Sequence, residues 1–229
     1  MVKIYIDGGH GGSDSGAVGN GIYEKDINLK ITKKIEALLK ENYKNVEILT
    51  TRTTDVFYSL AERTNKANAW GADAFLSVHI NAHTDNKARG FETYIYPNAS
   101  AKTAAFQNVM HESIFGQISY SGMTDKGKKS ANFHVLRESN MIAILTENGF
   151  ISNSADATLL KTDVFLDKLA YGHVLGLEKF FGLEKEIRPP TSGELYQVIA
   201  GTFSSKENAD DMAKKLQADG YDCYVARKQ

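Results

Sequence analysis

The sequence predicts an α/β fold: a mainly parallel twisted sheet with helices on both faces, followed by a small β-α-β unit. Three observations carry this. Short β-type runs alternate with segments of helical periodicity through the first 180 or so residues, the pattern of a parallel sheet covered on both sides. Glycine-rich or polar breaks separate the runs. The texture then changes near Leu183, where Pro189-Pro190 and Thr191-Ser192-Gly193 read as a linker.

In order, Val2 to Asp7 is a strand that stops at Gly8-Gly9, and Gly8 to Gly21 is a long loop. Ile27, Ile31, Ile35 and Leu38 recur at helical spacing and predict a helix from about Glu24 to Asn42. Val46 to Thr51 is a strand. Leu60, Thr64, Ala67 and Trp70 form a helix that Gly71 terminates. Ala74 to His79 and Phe91 to Tyr96 are strands, and a helix covers about Lys102 to Ile118. The polar stretch Ser119 to Ala131, carrying Lys126, Lys128 and Lys129, reads as a mobile surface loop whose lysines are solvated or touch the carboxylates of a ligand. Phe133 to Leu136 and Ile142 to Glu147 are strands, and a long helix carries Leu166, Leu169, Val174, Leu177 and Phe181. The domains run 1–183 and 194–229, joined by a linker at 184–193; the second reads as strand Leu195–Gly201, helix Lys206–Ala218 and strand Asp222–Ala226.

Bulk properties narrow the function. A formal net charge of -1 over 229 residues argues against nucleic acid as a partner, which needs a basic footprint. No stretch approaches the roughly 20 apolar residues of a membrane span. The run before Gly8 is too short for a signal-peptide core, so synthesis in the cytoplasm without an export address is expected. The one cysteine, Cys223, excludes an intrachain disulfide and a cysteine-rich metal site, leaving His, Asp and Glu as metal ligands.

Chemistry concentrates in four segments: Asp7-Gly8-Gly9-His10-Gly11-Gly12, Tyr23-Glu24-Lys25-Asp26, Ser77-Val78-His79-Ile80-Asn81-Ala82, and Leu145-Thr146-Glu147-Asn148-Gly149-Phe150. A catalytic zinc takes three ligands from His and carboxylate and keeps one position for water, a set that His10, Glu24 and His79 can supply. Ligand loops beyond the carboxyl ends of strands are where such folds place function. Glu147 at the end of an apolar strand costs free energy unless its charge is used. Taken singly, each segment is also compatible with a structural role.

Together they resemble the zinc-dependent N-acetylmuramoyl-L-alanine amidases of bacterial autolysins and phage endolysins. The resemblance runs from Val2 to about Gly182 and includes Thr51-Arg52-Thr53-Thr54-Asp55, then Leu60, Arg63 and Ala67-Asn68, then Gly90-Phe91-Glu92-Thr93-Tyr94 and Val135-Leu136-Arg137. Gly8 stands where most relatives have proline. The resemblance implies zinc on His10, Glu24 and His79, Glu147 as the catalytic glutamate, and peptidoglycan as substrate. Other zinc hydrolases of the wall, a peptidase or a deacetylase, share such ligands; a non-catalytic wall-binding module would be expected to lack one of the four residues. The absent export address favours a phage lysin or an enzyme of mother-cell lysis.

Secondary assignments are these. Asp7 orients His10 or caps a turn, Asn81 is a neighbouring or substrate-contacting group, and Arg137 helps hold an oxyanion. Arg63 and Asp55 form a structural ion pair. His83, His111, His134 and His173 are surface or packing residues. A partly apolar wall, Ile142 to Leu145, raises the pKa of Glu147. Tyr196 to Ser204 with Asn208, Ala209 and Leu216 resembles the start of a SPOR domain, a family that binds peptide-stripped glycan. Only one of its two β-α-β repeats is recognisable, so a homodimer that pairs half-domains is an expectation.

Overall fold

The computed structural model describes residues 1–186, 201–218, 223 and 225. The chain divides into a unit at Met1–Ile187 and a second at Arg188–Gln229. In the first, the strands are β1 (Val2–Gly8), β2 (Val18–Gly19), β3 (Ile22–Tyr23), β4 (Val46–Thr50), β5 (Ala74–Asn81), β6 (Phe91–Ile95), β7 (Asp125–Ser130) and β8 (Ile142–Phe150). The helices are α1 (Glu24–Asn42), α2 (Leu60–Trp70), α3 (Ala101–Ile118), α4 (His134–Arg137), α5 (Ser154–Leu160) and α6 (Asp163–Phe181). The main sheet has the order β4-β1-β5-β8-β6-β7. Its first four strands are parallel, β6 runs antiparallel to β8, and β7 parallel to β6.

Strand side chains alternate between two faces. On one, Ile4, Ile6, Leu76, Val78, Ile80 and Ile144 pack under α1, α3 and α6. On the other, Tyr5, Phe75, Ala143 and Leu145 pack under Ala67 of α2 and Val135 and Leu136 of α4. The buried residues of α1, Ile27, Ile31, Ile35 and Leu39, recur every fourth position, so the helix presents one apolar stripe to the sheet. The α2/α4 face is shorter than the strands. Following the alternation upward, Asp7, Ser77, His79 and Glu147 continue it beyond the helix cover, at the carboxyl end of the parallel strands.

Three local expectations change. The segment from Ser119 is not a loop: after one 3-10 turn at Ser119–Ser121, Asp125–Ser130 is strand β7. Backbone pairing with β6 outweighs its polar composition, and lysines suit an edge strand. His134–Arg137 is a helical turn rather than a strand, because its apolar pair Val135-Leu136 caps the α2/α4 face instead of entering the sheet. Residues 184–186 are no linker either: Glu184 O and Asn42 O accept from Lys44 N and Glu186 N at 3.1 and 2.7 Å, tying this segment to the end of α1.

Helix α7 (Lys206–Ala218) is present in the second unit as expected. The half-buried Cys223 lies against it, its Sγ 3.4 Å from Ala213 O. The strands expected at Leu195–Gly201 and Asp222–Ala226 lie almost wholly outside the described residues. Among the described residues, no helix is long and apolar enough to cross a membrane.

Candidate metal centre

His10 sits two residues past β1 with φ +62°, the left-handed region that disfavours side chains. Two buried arginines hold this turn. Arg52 donates to Gly8 O at 2.9 Å and Gly9 O at 3.0 Å; Arg63 donates to Gly8 O and His10 O at 2.9 Å each. Charge-assisted bonds to three successive carbonyls offset the backbone strain. Gly11 and Asp14 then close a tight turn through reciprocal backbone bonds of 2.8 and 3.0 Å. That turn brings Asp14 Oδ2 to 2.8 Å from His10 Nδ1. With Nδ1 donating to Asp14, His10 leaves Nε2 available to a metal.

Glu24, the first residue of α1, is buried and fixed on all sides. Its Oε1 accepts from Ile80 N at 3.0 Å and its Oε2 from Ala17 N at 2.8 Å. His10 Nε2 is 3.2 Å from Glu24 Oε2, and His79 Nδ1 is 2.9 Å from Glu24 Oε1. The ligand atoms of these three residues all lie within 4.8 Å of one another. Ligands about 2.0–2.1 Å from a tetrahedral zinc lie roughly 3.3 Å apart, so the trio fits such an ion. Burial disfavours charge at Glu24 and at His10. For Glu24, hydrogen bonds and attraction from the two histidines prevail and keep it ionised, well below the usual carboxylate range; for His10, the carboxylates of Glu24 and Asp14 prevail and raise its pKa.

Glu147 lies on β8 directly beside His79 of β5, one strand spacing away on the same face. Its Oε2 is buried without a hydrogen-bond partner. Burial, then repulsion from Glu24 and Glu92, push its pKa well above the ordinary value. The direction of this shift agrees with the sequence expectation, but repulsion from the two carboxylates was not foreseen there. Glu92 is the cross-strand partner of Glu147 and is itself buried. It is bound by Asn81 Nδ2 at 2.5 Å and paired with Lys129.

His10, Glu24 and His79 thus converge, with Glu147 alongside. Asp7 does not reach His10: its carboxylate is taken by Arg63 Nη1 and Thr51 Oγ1, each at 2.7 Å, and Ser77 Oγ at 2.9 Å. Asp14, four residues after His10, holds that position instead. Arg63 consequently pairs with Asp7, while Asp55 pairs with Lys25 at 2.7 Å; a buried arginine takes the buried carboxylate, and an exposed acid takes a lysine. Arg137 lies away from the ligands, bonded to Asn132 and Glu138 and lining a cavity of about 300 Å³ with Met141, Ile142 and Ala143 at the start of β8. Ile142 opens β8 and Glu147 lies further along it, so the oxyanion role expected of Arg137 finds no support in this placement. Asn81 acts on Glu92. His111 and His173 are buried packing residues that bond Thr93 and Thr146, and His83 is exposed.

The chain is similar to known proteins along its length. The N-acetylmuramoyl-L-alanine amidase family matches residues 4–179, and the SPOR domain matches residues 177–227. The sporulation-specific N-acetylmuramoyl-L-alanine amidase of Bacillus subtilis is 48% identical over 228 residues, covering 100% of this chain and 86% of that protein. The endolysin of Bacillus phage SPP1 is 45% identical over 217 residues, 90% of this chain and 77% of the relative. Among solved structures, the catalytic domain of the amidase CwlV from Bacillus (Paenibacillus) polymyxa superposes with a TM-score of 0.75 at 36% identity, covering 80% of this chain and 100% of that one. Homodimerisation through the C-terminal unit has no support in these comparisons.

Proposed function

The chain belongs to the N-acetylmuramoyl-L-alanine amidase family, and from that premise we propose that it hydrolyses its substrate with a zinc ion held by His10, Glu24 and His79 and with Glu147 as the proton-transfer group. The activity itself is that of a peptidoglycan amidase, cleaving the amide between N-acetylmuramic acid and L-alanine. The observation that carries the site assignment is the convergence of two imidazoles and one carboxylate within 4.8 Å beside the orphaned Oε2 of Glu147.

When bound, the ion supplies Lewis-acid polarisation of the carbonyl and makes water more acidic. His10 offers Nε2 because Asp14 occupies Nδ1, and His79 offers Nδ1. Glu147 takes a proton from the attacking water and returns it to the amide nitrogen as the C–N bond breaks. The water oxygen ends on the lactyl carboxylate, and L-alanine leaves with a free amino group. The raised pKa of Glu147 suits a group that must hold that proton between the two events. The unit at 194–229 is assigned to wall attachment, on the strength of the SPOR match.

The test is digestion of purified peptidoglycan by the metal-loaded protein, the chelated protein, the chelated protein with zinc restored, and Glu147→Gln. New L-alanine amino termini without new reducing sugars are expected. They should be lost on chelation, regained with zinc, and reduced by on the order of 10² to 10⁴ in the variant. Cleavage that survives metal removal, or a Glu147→Gln rate within about threefold of wild type, overturns the assignment.

A further inference from the structure

The two flanks of the metal centre differ in chemistry. On the β4–α2 side, Phe57, Tyr58 and Leu60 line a cavity of about 280 Å³ together with His10, Asp14 and His79. Phe57 and Leu60 are about half exposed, at 51% and 53%. An exposed aromatic on a mobile loop would mean little, but this loop is pinned at both ends. Arg52 donates to Thr54 O at 3.3 Å and Lys25 O at 2.7 Å. Asp55 accepts from Gly12 N at 2.7 Å and pairs with Lys25. Beyond Phe57, Ser59 and Glu62 cap α2 reciprocally. A Cβ at Gly12 would lie 2.8 Å from Phe57 N, so the His10 turn and this loop touch directly. The ring is thus presented at the lip on a rigid base, uncharged and unpartnered.

The opposite flank is charged. Glu147, Glu92 and Lys129 succeed one another across β8, β6 and β7. Strands about 4.8 Å apart put Glu92 roughly 10 Å from His79. Two glutamates face each other across β8 and β6, an arrangement that destabilises a sheet. Lys129 stands over the Tyr94 ring at 5.8 Å and pairs with Glu92. Its side chain is anchored yet about one-third exposed.

The substrate has the same asymmetry. On one side of the scissile amide is an uncharged sugar with a C–H face that stacks on aromatics; on the other is a peptide that ends in a carboxylate. We propose that the cleft binds the substrate in one direction, the sugar against Phe57 and the peptide across β8, β6 and β7 with a carboxylate on Lys129. This rests on the scissile amide lying at the metal centre.

Three soluble substrates test it with the metal-loaded protein: muramoyl-L-alanyl peptide, the same peptide carrying D-lactate in place of the sugar, and muramoyl peptide with an amidated C-terminus. Phe57→Ala should raise KM about three- to tenfold on the sugar-bearing substrate and not on the lactoyl one, with Phe57→Trp retaining the wild-type KM. Amidation should cost the wild type about tenfold in kcat/KM, and Lys129→Met should abolish that preference. Because Lys129→Met leaves Glu92 unpaired, Glu92→Gln/Lys129→Met runs beside it as the variant in which no buried charge is stranded. Equal KM effects of Phe57→Ala on both substrates, or an amide penalty that persists in both Lys129 variants, overturn the proposal. Bound metal per chain is measured throughout. Wild-type protein without metal on these ligands would refute the site assignment itself, whereas metal-loaded variants with the wrong substrate profile refute only the direction of binding.

Discussion

Replacing Gly9 by alanine should abolish metal binding without altering a ligand. A Cβ at Gly9 would lie 2.2, 2.4 and 2.6 Å from Cε1, Nε2 and Nδ1 of His79. Carbon atoms in contact sit about 3.5 Å apart, so the imidazole must withdraw by roughly 1.3 Å. Metal–ligand distances tolerate only about 0.2 Å. The ring is held to Glu24 Oε1 at 2.9 Å through Nδ1, so withdrawing it from Gly9 breaks the arrangement of the trio. The loss of affinity should exceed the ~100-fold that follows removal of an outer hydrogen-bond partner. Gly9 is not among the glycines of positive φ, so alanine adds no backbone strain, and the melting temperature of the metal-free protein should stay close to wild type. Chelator competition measures the affinity, and calorimetry the fold. Gly8→Ala is the control, since its nearest contact is Thr32 Oγ1 at 3.2 Å; it should keep the metal. A Gly9→Ala protein that binds zinc within about threefold of wild type would refute the steric argument.

Asp14→Ala should weaken zinc binding by about 10- to 100-fold, read by chelator competition, since His10 Nδ1 loses the carboxylate that fixes its tautomer. His173 of α6, buried against Thr146 of β8, has its pKa lowered to about 4 by burial. Below pH 6.5 the unfolded chain takes up this proton and the folded chain does not, so stability falls as pH drops from 6.5 to about 4. Near 1.4 kcal/mol per pH unit this amounts to about 3 kcal/mol. Denaturant melts of wild type and His173→Gln across that range should show a shallower slope in the variant, and parallel slopes would refute it.

The parts of this protein that were legible in its sequence are those where a single period decides the structure. The four-residue spacing from Ile27 onward marked α1, and the apolar runs before His10 and His79 marked β1 and β5. The proposed ligands His10 and His79 stand at the ends of such runs, and Glu24 joined them through the resemblance to the amidase family. Glu147 was legible as a charge in an apolar strand. What escaped depends on pairing between distant segments. β7 is polar and becomes a strand only through β6. Glu92 matters because the antiparallel register sets it against Glu147, and no local pattern encodes that register. Asp14 could have been found, since a carboxylate four residues after a histidine within a glycine-rich turn is within reach of its ring; Asp7 was the nearer candidate in sequence but sits on the strand, where Arg63 and Thr51 claim it. Phe57 drew no notice in the sequence, because the contacts that hold its loop come from the distant Arg52 and Asp55.

The order of the strands in the sheet has a consequence for synthesis. β8 is inserted between β5 and β6 although it follows both in the chain. All three proposed ligand residues lie within the first 79 residues, on or next to β1, α1 and β5, whereas Glu147 follows 68 residues after His79. As the chain leaves the ribosome, the proposed ligand set emerges well before the residue proposed to move the proton. A chain released early or clipped before β8 therefore lacks both the sheet neighbour of β5 and the residue proposed to move the proton, and should leave peptidoglycan intact.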